Sequence, residues 1–468
     1  MLELHHLSIT LPRRGIVLDD VSARIEPGRV TAVVGATGAG TSILLRHLAD
    51  RAPNGAQSRG RTLWKRRPLP PANLHGPLTV ADWALPPLGV ATWLRGLTAQ
   101  VREAAEAIRV EAFLDQRIHQ LPLDIRARLH LAALRHLPDA DLVLADPVAT
   151  AADGRDRRAI AEQLRRRAER GAVVLWAEHD LDLVWEHADR IIELHNGRIV
   201  YDGNPAGWVP VSVPEPTLMT LARAHSLDPA ACRDAQSTAQ RLADAGHSPG
   251  PLPPSPTAPL GDTLHLTQHG LGDGLELTLG TRECLGVVDL DGRAEPIARR
   301  LVHSLPNGSL LTSHLPAEAT VGQIAASWER RHRLPIGSIV ATLPRLRGFD
   351  RLLNHGTGDV AQLRATLALG PGHPLWFPHP QAGLDTRAAR NLAAALAAGC
   401  PGPRIVTSRD TEFLVRACHR ILVVSDGAAV ACGSPQAVAP LLPEPPLVAQ
   451  ATGSAHHTRL AELLGVGA

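Results

Sequence analysis

The sequence predicts an α/β protein made of two copies of one unit, each a mostly parallel sheet covered by helices. Two observations carry this. Short apolar runs at 30–34 (VTAVV), 142–144 (LVL) and 173–176 (VVLW) alternate with helical stretches. Two long segments also occur twice. Residues 190–205 (RIIELHNGRIVYDGNP) and 420–435 (RILVVSDGAAVACGSP) match without a gap at Arg, Ile, Gly, Val, Gly and Pro, and residues 21–35 (VSARIEPGRVTAVVG) share their shape with 275–289 (LELTLGTRECLGVVD).

Within that repeat, residues 21–35 read as a strand, a Pro-Gly turn and a buried strand ending at a glycine loop. Thr79-Val80 and Thr320-Val321 each read as a helix start with the threonine as cap, and as counterparts of one another. Residues 215–245 read as short helices, and 248–258 (SPGPLPPSPTA) hold too much proline for regular structure. The expected domains are therefore 1–212, a helical extension and linker at 213–260, a second domain at 261–440 and a C-terminal extension at 441–468.

With 468 residues, 44% of them hydrophobic, the chain fills two ordinary cores. A net charge of +2 gives no basic field, so no nucleic-acid partner is expected. The five cysteines have neither zinc spacing nor disulfide density, which points to a reduced, cytosolic setting with the cysteines as core fillers. The N-terminal MLELHHLSIT lacks the pattern of a signal peptide, and nowhere do eighteen apolar residues run together, so a chain neither secreted nor membrane-spanning is expected.

Residues 35–42 (GATGAGTS) follow a buried strand and open a helix, the context of a phosphate loop. Gly35, Gly38 and Gly40 allow close approach of backbone N–H groups, and a helix N-terminus favours an anion. The spacing fits Gly-x4-Gly-Lys-Ser except that Thr41 stands in the lysine's place, and the one lysine of the chain, Lys65, lies elsewhere.

Taken in order, this loop, Leu142-Val-Leu-Ala145-Asp146-Pro147, the strand ending Trp176-Ala177-Glu178-His179-Asp180 and the closing residues 196–203 resemble the ATP-binding cassette (ABC) ATPases. Two copies in one chain, each followed by a tail such as residues 215–223 or 444–450, look most like the fused ATPase pair of energy-coupling factor importers. The resemblance implies two phosphate-loop domains, each with a mostly parallel sheet, an antiparallel β part and a helical signature subdomain. It also implies ATP and Mg²⁺ as ligands, transmembrane subunits as partners, and head-to-tail pairing of the halves, each ATP lying between one half's phosphate loop and the other's signature.

On that pattern, the first composite site joins Gly35, Gly38, Gly40, Thr41, Ser42 and His179 to Gly356, Gly358 and the D-loop Asp385. Ser42 offers a hydroxyl to Mg²⁺, and His179 holds the γ-phosphate contact. The strand-end aspartate of the family falls on Ala145 and the following glutamate on Asp146. A shift of one residue makes Asp146 the metal carboxylate, but one group does not serve as base and ligand together. No glutamine occurs between residues 59 and 99 for the Q-loop, and Leu11 replaces the adenine-stacking aromatic. The second site, residues 289–296 with 121–125, reads as dead. Glu295 takes the lysine place, where two like charges about 4 Å apart cost roughly 4 kcal/mol. Asp289 replaces a glycine, Pro296 removes an N–H, and Pro378, His379 and Arg409 replace the two carboxylates and the switch histidine.

The expected function is the cytoplasmic ATP-binding subunit of an ABC importer of the energy-coupling factor type, peripheral on the inner membrane face, with one weakened site and one dead one. The alternative is a pseudo-ATPase scaffold or regulator that keeps the dimeric shell and never cycles. A soluble tandem cassette acting on ribosomes or DNA fits less well, because residues 215–258 are neither a long charged helix nor a zinc insertion.

Overall fold

The computed structural model describes residues 1–69 (except 13, 51 and 54), 78–81, 141–145, 154–247, 262–268, 275–289, 294–349 (except 312–314, 317, 344 and 345), 352, 357–454, 458 and 459. The chain divides into two units, Met1–Pro216 and Thr217–Ala468.

In the first unit, β1 (Leu2–Leu11), β2 (Gly15–Ile25), β4 (Gln57–Trp64) and β5 (Arg67–Pro68) form an antiparallel sheet in the order β2-β1-β4-β5. A six-stranded sheet runs β10-β9-β3-β8-β7-β6. Its strands are β3 (Val30–Gly35), β6 (Leu78–Ala81), β7 (Leu142–Ala145), β8 (Val173–Ala177), β9 (Arg190–His195) and β10 (Arg198–Gly203). Every residue of β3, β7 and β8 is buried, as continuous apolar runs require of a sheet covered on both faces. The helix α1 (Thr41–Leu48) turns Leu44, Leu45 and Leu48 into a core with Leu2, Ile9, Val33, Leu144, Leu175 and Ile192. Two further helices, α2 (Gly154–Glu169) and α3 (Leu181–His187), also contact β3.

The second unit has an antiparallel pair, β11 (Thr263–Gln268) and β12 (Leu275–Gly280), and a six-stranded sheet in the order β14-β15-β16-β13-β17-β18. These are β13 (Cys284–Asp289), β14 (Ser309–Leu310), β15 (Leu375–Pro378), β16 (Arg404–Thr407), β17 (Arg420–Ser425) and β18 (Ala428–Gly433). Read from its antiparallel edge, this order and every strand direction match those of the first unit's sheet. The helix α6 (Ala294–Ser304) buries Ile297, Leu301 and Val302 on one face with Val287, Ile405 and Leu422. The opposite face of the sheet packs on α7 (Val321–His332), α9 (Thr357–Leu369), α10 (Thr386–Ala397) and α11 (Thr411–Ala417). The short α8 (Ser338–Ala341) follows α7.

The second unit begins earlier than the composition shift at 248–258. It takes in α4 (Thr217–Ala224) and α5 (Ala235–Asp244), and both contact α13 (Leu447–Thr452), which follows α12 (Pro435–Val438). One expectation fails. Residues 78–81 form the strand β6, parallel to β7, where a helix start is expected at Thr79-Val80. Pairing with the exposed edge of β7 overrides the local cap signal. Thr320 does cap α7, its Oγ1 accepting from Gln323 N while Gln323 Oε1 accepts from Thr320 N. Four cysteines are buried as expected, and Cys432 is exposed. Among the described residues no helix is long and apolar enough to cross a membrane.

Candidate nucleotide sites

In the first unit the chain leaves β3 at Gly35 and enters α1 at Thr41. Gly38 and Gly40 have φ of 85° and 107°, which L side chains adopt only under strain. A Cβ on Gly40 would sit 2.5 Å from Leu18 Cδ2. The loop closes by Ala39 N donating to Ala36 O at 2.8 Å. At the N-cap, Gly40 supplies no side-chain cap, and the first turn of α1 holds no acid, while Arg46 and His47 lie in the last turn. This is the charge arrangement of a helix start that accepts an anion. Thr41 is buried and Ser42 half-buried. The loop fits a phosphate by its backbone, but nothing at position 41 provides a cation.

The register Val33↔Ala177 puts Gly35 and His179, each two residues further on, at the same end of the sheet. His179 N donates to Glu178 Oε1 at 2.7 Å, and Asp180 caps α3 by accepting from Asp182 N and Leu183 N. Arg157 Nη1 meets Asp180 Oδ2 at 2.8 Å. Glu178 is buried, and burial, then the charge of Asp180, pushes its carboxyl up to about 7. Its Oε2 has no partner among the described residues.

Strand register also bears on Asp146, which, like Gly356, lies outside the described residues. Ala145 is level with Trp176, and Phe377 with Val406. Trp176 and Val406 are equivalent, each one residue before the position level with Val33 or Val287. Ala145 is thus the counterpart of Phe377, and Asp146 of Pro378. The D-loop spacing agrees, since 153 − 146 and 385 − 378 are both seven, which pairs Asp153 with Asp385. Leu11, read as the adenine-stacking position, is buried in the core.

In the second unit Asp289 ends β13 and is buried, and Glu295 and Pro296 lie in the first turn of α6. Glu295 Oε1 lies 3.0 Å from His379 Nε2, joining the start of α6 to the end of β15. That hydrogen bond holds the Glu295 carboxyl below its usual range. His379 has φ of 45° and donates its N–H to Thr407 O at 2.8 Å. Arg364, buried on α9, donates Nη2 to Pro378 O at 2.7 Å with its guanidinium 5.4 Å from the Phe377 ring. Gln381 Nε2 donates to Ser408 Oγ at 2.8 Å. Gly358 lies in the first turn of α9, and Asp385 caps α10 by accepting from Ala388 N at 2.8 Å. The sequence reading missed the Glu295–His379 contact. Its signal was present, because acid and base are exchanged relative to the family's lysine and glutamate.

No family model matches the chain. It is 32% identical over 215 residues to a hemin import ATP-binding protein of Rhodopseudomonas palustris, spanning 41% of this chain and 78% of that one. The chain belongs to the ATP-binding cassette ATPase family. A second cassette protein, the energy-coupling factor transporter ATP-binding protein of Methanocaldococcus jannaschii, is 24% identical over 227 residues, covering 44% of this chain and 79% of its own length. The archaeal ribosome recycling factor aABCE1, solved with a stalk protein, covers 90% of this chain and 87% of its own at a TM-score of 0.51 and 16% identity, a likeness of fold.

Proposed function

We propose that this chain is the ATP-binding component of a membrane importer, two cassette units in tandem, of which only the first keeps a usable phosphate loop. The uncapped, acid-free start of α1 behind Gly38 and Gly40 carries the reading. Family membership supports an importer, and the matching strand orders support the tandem. The energy-coupling factor type rests on two copies in one chain, each followed by a tail such as residues 215–223 or 444–450. Ser42 and Asp146 would hold Mg²⁺, which supplies charge neutralisation to the phosphates. The chain's cytoplasmic position, peripheral on the inner membrane face through transmembrane subunits, follows from the same reading. So does head-to-tail pairing that brings Gly356, Gly358 and Asp385 to the first loop; both rest on sequence motifs.

Turnover is slow on this reading. With Asp146 at the metal position, the residue at the family's glutamate is Pro147, which accepts no proton, and Thr41 leaves developing charge without a cation. A non-hydrolysing scaffold is the second reading, favoured by Pro147 and by the bridge across the second loop. Titration with Mg-ATP and purification from membranes test both. One nucleotide per chain and recovery with membrane subunits are expected. Two nucleotides per chain overturn the asymmetry, and none at millimolar ATP leaves the scaffold.

A further inference from the structure

We propose that the start of α6 in the second unit carries a built-in ligand, the Glu295 carboxylate, which bridges to His379 at the end of β15 in place of a phosphate. This rests on reading the second unit as a cassette. The start of α6 and the end of β15 lie close enough for their side chains to meet. Here the two side chains reach each other, at 3.0 Å.

Three layers support the bridge. Glu295 sits in the first turn of α6, where a carboxylate complements the helix start as a phosphate would. His379 is fixed from behind by its own N–H on Thr407 O and, through Pro378 O, by Arg364. Arg364 and Arg409 both favour the ionised carboxylate. An entering phosphate would have to break the bridge and then meet two acids, Glu295 and Asp289, with Pro296 offering no N–H. The start of α6 is therefore self-occupied as well as deprived of a lysine.

Reversal of sign tests this. Glu295→Lys puts a cation against His379, Arg364 and Arg409, while Glu295→Lys with His379→Glu places opposite charges across the same contact. Hydrogen exchange of the peptide covering α6, in the full chain, should rise at least tenfold in the single variant and return to within about threefold of wild type in the double. The thermal midpoint should fall by roughly 2–4 °C in the single variant only. A single variant that exchanges like wild type, or a double no better than the single, overturns the bridge. If Glu295→Lys does not fold, Glu295→Gln serves. It keeps an acceptor but loses the charge, so its exchange should rise and become insensitive to salt between 0.05 and 0.5 M on the order of magnitude where exposed charges are screened. Salt sensitivity equal to wild type counts against the bridge. Mg-ATP titration of wild type reads the proposed function separately: no binding with an intact sign-reversal result fails that function alone, and binding without it fails the bridge alone.

Discussion

Thr41 leaves the first turn of α1 with backbone N–H groups and no side-chain cation, so restoring the charge has a defined effect. Thr41→Lys should tighten Mg-ATP roughly ten- to a hundredfold, the worth of a charge-assisted contact of about 1.5–3 kcal/mol. Glu295→Lys should gain far less, because Asp289, Pro296 and Pro378 remain. Isothermal titration of the two variants decides, and equal gains sink the asymmetry. Glu178 makes a prediction in pH. Its carboxyl is raised from 4.5 to about 7 in the fold, so between those values the folded chain binds more protons than the unfolded one, and stability falls as pH rises through the window. Glu178→Gln keeps an acceptor for His179 N and carries no charge. It should therefore be more stable than wild type by roughly 1–3 kcal/mol at pH 8, with the gain vanishing near pH 4.5. Urea midpoints at the two values check this, and a gain independent of pH would refute buried charge as its origin.

At the scale of elements, strands read easily from the sequence because β3, β7 and β8 are buried on both faces and so are written in apolar residues throughout. Partnerships across long loops do not read this way. Glu193 stands in an apolar strand, RIIELH, with nothing local to explain it. In the fold it is fully buried on β9 and accepts from Trp208 Nε1 at 2.9 Å, Val211 N at 3.0 Å, Ser212 N at 2.5 Å and Ser212 Oγ at 2.7 Å. One carboxylate thereby ties residues 208–212 to the sheet. Glu193→Ala strands four donors, three of them on two adjacent residues, and should cost about 3 kcal/mol while exposing Trp208. The midpoint of urea unfolding and the red shift of tryptophan emission measure it; a loss under about 0.5 kcal/mol would mean that water replaces the carboxylate. Thr79 shows the opposite limit, a cap signal real in sequence and outcompeted by strand pairing with β7. The Glu295–His379 contact was missed for a third reason: its members lie 84 positions apart, and the exchange of acid and base shows only when the two are read together.

For the whole molecule, the two segments that match in sequence both fold as strand-turn-strand, β9–β10 and β17–β18, while composition and contacts divide the chain at different places. Proline at 248–258 marks a break in composition, whereas burial marks a different one. On α4, Leu218, Met219 and Leu221 are at most 2% exposed, and on α13 Val448 and Ala451 are fully buried. Arg416 Nη2 on α11 also donates to Thr217 Oγ1 at 3.2 Å. These helices belong by contact to the second unit, although they precede the proline-rich stretch. Each large apolar side chain removed from water contributes roughly 1.5–3 kcal/mol, so losing the three on α4 removes much of a domain's net stability. A fragment of residues 217–468 should therefore unfold cooperatively, with a midpoint well above that of residues 261–468, which leaves α13 uncovered and should bind a hydrophobic dye. The first-unit fragment 1–216 should be no less stable than 1–247, which carries α4 and α5 without their partner helix. Equal midpoints for 217–468 and 261–468 would return the boundary to the proline-rich stretch and reduce α4 and α5 to a connector.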